Sequence, residues 1–143
     1  MSGIYEKAIV DHAKSPRNFG ALAGANRSAQ GSNPLCGDEI AVHLRVEGDR
    51  IEAASFEGAG CAVCLASASM MTLSVSGTPR AAAVALMQRV GEAVAGGDAA
   101  DLGDLAALSG VARFPARQKC ALLPWRALEQ ALGGRGGVVS TEL

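Results

Sequence analysis

Ile40-Ala41-Val42-His43-Leu44-Arg45-Val46-Glu47-Gly48-Asp49-Arg50-Ile51-Glu52-Ala53-Ala54-Ser55-Phe56-Glu57 decides the fold. Ile40, Val42, Leu44 and Val46 alternate with Ala41, His43 and Arg45, the two-residue period of a strand with one apolar face. Gly48-Asp49 is a two-residue turn, and Arg50 to Glu57 runs back as the second strand of a hairpin. Phe56 falls out of phase with Ile51 and Ala53, so a bulge is expected near Ala54.

On the C-terminal side, Gly58-Ala59-Gly60 leads into Ala62 to Val75, which is small or apolar nearly all round and reads as a buried central helix. Gly77-Thr78-Pro79 closes it, with Thr78 capping a further helix that has Pro79 at its first position and reaches about Val94. Gly96-Gly97-Asp98 breaks the chain, Asp101 to Leu108 reads as a short helical turn or two, and Phe114-Pro115 marks a loop. The last helix is expected from about Ala121 to Leu132, with Pro124 in its first turn. On the N-terminal side, Ile4 to Lys14 is a short helix ended by Ser15-Pro16-Arg17-Asn18-Phe19-Gly20. At most a weak strand lies around Asn26 to Gln30. The expected architecture is α+β, a small antiparallel sheet of about three strands with helices packed on one face. It forms one domain over residues 1–132, and the Gly-rich stretch 133–143 is expected to be a disordered C-terminal tail.

With 143 residues, 49% of them hydrophobic and 19% charged, the chain is about one domain long and too apolar for intrinsic disorder. Thirteen Lys and Arg against fourteen Asp and Glu give no field to attract nucleic acid or anionic lipid, and 3% aromatics leave no base-stacking platform. The apolar runs are far short of the roughly 20 residues that span a bilayer, so no membrane association is expected. Met1 to Lys7 carry no basic region leading into an apolar stretch, so a reducing cytoplasm is the expected location. In that setting four cysteines point to metal or thiol chemistry, not to a disulfide frame.

Cys36 lies in the turn Asn33-Pro34-Leu35-Cys36-Gly37-Asp38, just before the first confident strand. Cys61 follows Gly58-Ala59-Gly60 at the mouth of the buried helix, and Cys120 follows Arg117-Gln118-Lys119 at the mouth of the last one. Two of the three thus sit at helix N-termini, where amide groups and the helix dipole favour thiolate, and Arg117 and Lys119 add positive charge beside Cys120. Asp38, two residues after Cys36, can present its carboxylate on the same side. Three thiolates and a carboxylate suit tetrahedral zinc, or iron in a cluster. The long spacings between these cysteines do not by themselves distinguish a shared site from separate ones.

Plainer readings stand beside this one. Cys64, inside the apolar helix, reads as a small buried hydrophobe. His12 and His43 read as surface or strand residues, Met70-Met71 as core filling, and Arg117 to Lys119 equally as a solvated loop. Cys61-Ala62-Val63-Cys64 also has the spacing of a dithiol redox motif, but without the βαβ start such oxidoreductases need.

The chain resembles the U-type iron–sulfur assembly proteins: IscU, SufU and the N-terminal part of NifU. The resemblance runs from Ile4 to about Leu132. It is carried by Asp11-His12 with Ser15-Pro16-Arg17-Asn18, by Asn33-Pro34-Leu35-Cys36-Gly37-Asp38, by Phe56-Glu57-Gly58-Ala59-Gly60-Cys61 and by Ala66-Ser67-Ala68-Ser69-Met70-Met71. Ala13 stands where the family usually has Tyr, and Cys64 where it has Ser or Ala. Lys119 stands where IscU has His, and Phe114-Pro115-Ala116-Arg117 replaces its chaperone-recognition sequence. The segment from about Val90 to Val111 looks like the insertion that marks SufU. The resemblance therefore implies an IscU/SufU-like fold and a zinc-dependent sulfur carrier, with zinc held by Cys36, Asp38, Cys61 and Cys120.

It further implies that a pyridoxal-phosphate cysteine desulfurase, SufS-like, supplies persulfide sulfur, and that a ligand exchange on docking frees Cys36 to accept it. Arg117 and Lys119 would dock the desulfurase or stabilise the transferring thiolate, and a downstream iron–sulfur scaffold would receive the sulfur. The alternatives are a scaffold for a [2Fe–2S] cluster on the same ligands and, lower, a structural zinc module.

Overall fold

The computed structural model describes residues 3–134 and 137–140. Strand β1 (Arg27–Asn33) pairs antiparallel with β2 (Asp38–Glu47), which pairs antiparallel with β3 (Arg50–Ala59). These are the expected three strands, and two short ones extend them. Thr78–Pro79 (β4) pairs with Arg50 and Ile51, and Val138–Ser140 (β5) runs parallel to Gln30–Ser32, giving the order β4-β3-β2-β1-β5. Strand β5 falls within the stretch read above as a tail, of which residues 135, 136 and 141–143 lie outside the described residues.

Helices α1 (Gly3–Lys14), α2 (Ala62–Val75), α3 (Arg80–Val94) and α4 (Pro115–Leu132), with a 3₁₀ helix over Gly103–Val111, complete the α+β fold. On β2, Ile40, Val42, Leu44 and Val46 are buried while Glu39, Arg45 and Glu47 are exposed, as the alternation requires. Helix α2 is buried along most of its length, from Cys64 to Val75. Among the described residues, no helix is long and apolar enough to cross a membrane.

The irregularities have local causes. The register shifts between Arg45 and Val46, so the extra residue on β3 is Glu52, two before the expected Ala54. Beyond it Ala54 and Phe56 turn inward together, which accounts for the broken phase. Strand β1 is longer than expected because its buried face is Ala29, Gly31 and Asn33, which carries no hydrophobic alternation. A Cβ on Gly31 would stand 2.8 Å from the Leu123 side chain, so the missing side chain is what lets α4 lie close on β1.

Helix α4 also starts earlier than expected. Phe114 is its N-cap and Pro115 its first residue, a position where proline sacrifices no hydrogen bond, so Pro124 falls mid-helix. Pro124 withholds the N–H that would bond the Cys120 carbonyl. One residue on, the Ala121 carbonyl accepts from Ser67 Oγ at 2.6 Å, and Trp125 Nε1 donates to the same hydroxyl at 3.1 Å. These bonds tie α4 to α2 beside Cys120.

Candidate metal centre

The hairpin between β1 and β2 closes on the pair Asn33 and Asp38, with Pro34 to Gly37 forming the turn. Cys36 N–H donates to the Asn33 carbonyl at 3.2 Å, and Gly37, at φ +71°, takes the left-handed conformation that returns the chain into β2. Cys36 is therefore half-buried at a hairpin tip, while Asp38 at its base is fully buried.

Cys61 is the N-cap of α2 with no side-chain cap of its own. Its N–H instead donates to Asp38 Oδ1 at 2.8 Å, so Asp38 satisfies one of the orphan amides at the helix start. The glycines before it make room. A Cβ on Gly60 would stand 2.6 Å from Asp38 Oδ1, and one on Gly58, at φ +135°, 2.0 Å from the Glu39 carbonyl oxygen. Gly60→Ala is accordingly expected to push the Asp38 carboxylate off the Cys61 amide and to cost about 1–2 kcal/mol, read by denaturant unfolding.

Cys120 comes from the opposite side. It is fully buried, more than a turn inside α4 and not at its mouth, which corrects the helix-terminus argument for this residue. Burial pushes its thiol pKa up, and the neighbouring Asp38, Cys36 and Cys61 push it further. Its Sγ donates to the Ala116 carbonyl at 3.5 Å, as a thiol can. The chain alone thus holds Cys120 protonated, and a bound cation would reverse that balance. Cys64 is likewise pushed up, by burial first and then by the charges of Asp38, Cys61 and Cys36.

The Cys36 and Cys120 sulfurs and an Asp38 oxygen all lie within 4.8 Å of one another. A tetrahedral zinc bound by sulfur at ~2.3 Å places its ligand atoms about 3.8 Å apart, so the three groups stand near the spacing an ion requires. Two thiols and a carboxylate fit zinc or iron and are poor hosts for magnesium or calcium. Cys61 stands outside that tight group of three, yet its thiol is close enough to Cys120 to act on its titration.

Arg117, exposed, is three residues before Cys120 and shares its helix face; its pKa is raised by the charges of Cys61 first and then Cys120. Lys119 is half-buried at the adjacent position, which on a helix does not share that face. His12 is buried, not superficial: its Nδ1 pairs with Ser69 Oγ at 2.7 Å and its Nε2 lies 3.6 Å from Asp104 Oδ2, so it is not part of the group formed by Cys36, Asp38 and Cys120. His43 lies on β2, bonded to Ser28 and Glu57 at 2.8 Å each, as a strand residue.

The sequence reading missed Asn33. It is fully buried, and its Nδ2 donates to Asp38 Oδ2 at 3.2 Å and to Cys120 Sγ at 3.4 Å. An Asn before Pro reads as turn chemistry, and only the tertiary approach of α4 reveals what its amide meets.

The family model described as NifU-like N terminal domain matches residues 4–121. The zinc-dependent sulfurtransferase SufU of Bacillus subtilis is 42% identical over 140 residues, covering 96% of this chain and 95% of that protein. An iron–sulfur cluster assembly scaffold protein IscU of Streptococcus pyogenes is 38% identical, over 92% of this chain and 84% of its own. Among solved structures, a candidate SUF-system scaffold (FiSufU) from Fervidobacterium islandicum superposes with a TM-score of 0.83 at 34% identity, covering 90% of this chain and 96% of that one.

Proposed function

We propose, since the chain belongs to the NifU-like N-terminal domain family, in the SufU branch of the U-type iron–sulfur assembly proteins, that it is a zinc-dependent sulfur carrier. It accepts persulfide sulfur from a pyridoxal-phosphate cysteine desulfurase and passes it to iron–sulfur cluster assembly. The observation that carries this reading is the meeting of Cys36, Asp38 and Cys120 from two elements far apart in the chain. Cys36, Asp38, Cys61 and Cys120 would hold the ion. Bound zinc would supply one thing: stabilisation of cysteine sulfur as thiolate at neutral pH.

The chain's own residues do the rest. Cys36 is the sulfur acceptor, because it stands half-exposed on a turn while Cys120 and Cys64 are sealed in the core. Its thiolate attacks the outer sulfur of the donor's persulfide; the donor's S–S bond breaks, a new one forms on Cys36, and the donor cysteine leaves as thiolate. Arg117, whose guanidinium feels the Cys61 and Cys120 sulfurs, offers positive charge to the thiolate that leaves, and Lys119 adds charge for docking. Leu35 beside Cys36, and Phe114 at the start of α4, are exposed apolar groups suited to contact with a protein donor.

The test is to mix the purified zinc protein with a SufS-like desulfurase and cysteine. Stimulated turnover with a persulfide on Cys36 supports a carrier. Assembly of a [2Fe–2S] cluster under anaerobic reconstitution, with transfer to an apo-ferredoxin and no stimulation, would instead support the scaffold role that the IscU relative is named for.

A further inference from the structure

Cys120 and Cys36 are both sulfurs of the same cluster, yet a carrier must load one and spare the other. Burial alone does not secure that, because loading requires the site to open to a donor. Asn33 supplies a chemical difference. Its side-chain Nδ2 carries two N–H groups and donates to Asp38 Oδ2 at 3.2 Å and to Cys120 Sγ at 3.4 Å. The residue is fully buried, so neither bond competes with water. Its place is set by the fold, since it pairs with Asp38 across the last rung of the β1–β2 ladder. The close contact of Leu123 with Gly31, two residues earlier on the same face of β1, holds α4 at the distance that lets Cys120 meet the amide.

Resting on the sulfur-carrier reading, we propose that Asn33 is the positioning residue that makes Cys120 the retained sulfur, by donating a hydrogen bond to it that Cys36 at the hairpin tip does not share. A hydrogen bond from nitrogen to a thiolate withdraws electron density from sulfur and so lowers its nucleophilicity. The same amide, bonded to Asp38, locks the carboxylate in the orientation that also caps the Cys61 amide. Outer groups of this kind tune ligands without touching the ion. Sulfur selection between Cys36 and Cys120 is thereby built into the side chain at position 33.

The test is the alkylation rate of each cysteine by iodoacetamide in the zinc-loaded protein, read by peptide mass spectrometry, for the natural chain and for Asn33→Ala and Asn33→Leu. The natural chain should react at Cys36 well ahead of Cys120. Both variants should raise the Cys120 rate by about tenfold while Cys36 changes by less than about twofold. Cobalt(II) in place of zinc gives a second reading: the sulfur-to-metal charge-transfer band should move to lower energy in both variants. An unchanged Cys120 rate overturns the proposal. Equal acceleration of Cys36, Cys61 and Cys120, including through loss of the ion, also overturns it, because Asn33 would then hold the whole site and select nothing. The alkylation readout needs no desulfurase, so a chain that shows this contrast yet takes up no sulfur contradicts the carrier function and not the role of Asn33.

Discussion

Cys36→Ala is expected to abolish sulfur acceptance: persulfide on the chain, measured by mass spectrometry after incubation with a desulfurase and cysteine, should fall about 100-fold or more, with desulfurase stimulation lost. The size of the effect follows from geometry. Cys64 and Cys120 are fully buried, and Cys61 is committed to the start of α2, with its amide held by Asp38. Cys36 alone stands on a turn, beside an exposed Leu35 and a glycine in the left-handed region. The substitution should leave the fold in place, because the turn's backbone bond from residue 36 to the Asn33 carbonyl does not need the thiol. A cost of about 1 kcal/mol or less is expected from removing one half-buried side chain. Full stimulation by Cys36→Ala would contradict the assignment and move the acceptor role to Cys120.

Asp38→Asn should lower zinc affinity by about 100-fold or more, measured by competition with a chelator, and destabilise the metal-free chain by about 1–3 kcal/mol. Asparagine matches aspartate in size, so packing is not the issue. Both carboxylate oxygens are already acceptors, Oδ1 from the Cys61 amide and Oδ2 from Asn33 Nδ2. An amide at this position has only one oxygen. Whichever way it turns, an NH₂ group faces another N–H donor in a fully buried place. The helix start or the Asn33 bond is lost, and the ion loses an anionic ligand as well. An unaltered zinc affinity in Asp38→Asn would remove the aspartate from the ligand set.

How far the sequence reveals all this depends on what signal each element leaves. The β2–β3 hairpin is legible because Ile40, Val42, Leu44 and Val46 alternate along β2 and a two-residue turn follows, and α2 because it is small or apolar nearly all round. Strand β1 is obscured by its own function: Gly31 gives way to α4 and Asn33 serves the cluster, so the buried face carries no hydrophobic pattern. The start of α4 is hidden by Phe114-Pro115, which reads as a break and is in fact a helix entrance. With the helix entrance hidden, Cys120 reads as a residue at the helix mouth although it lies inside α4. The meeting of Cys36, Asp38 and Cys120 is legible in part, from the glycine-flanked turn and from Asp38 two residues after Cys36, while the Asn33 amide and the place of Cys61 outside that group belong to tertiary geometry.

The most direct measurement is X-ray absorption at the zinc edge of freshly purified protein, with metal content determined on the same sample. A carrier site built from Cys36, Asp38, Cys61 and Cys120 predicts about one zinc per chain, three sulfur neighbours at ~2.3 Å and one oxygen at ~2.0–2.2 Å. A chain without zinc, or a zinc with fewer than three sulfurs around it, would contradict that site.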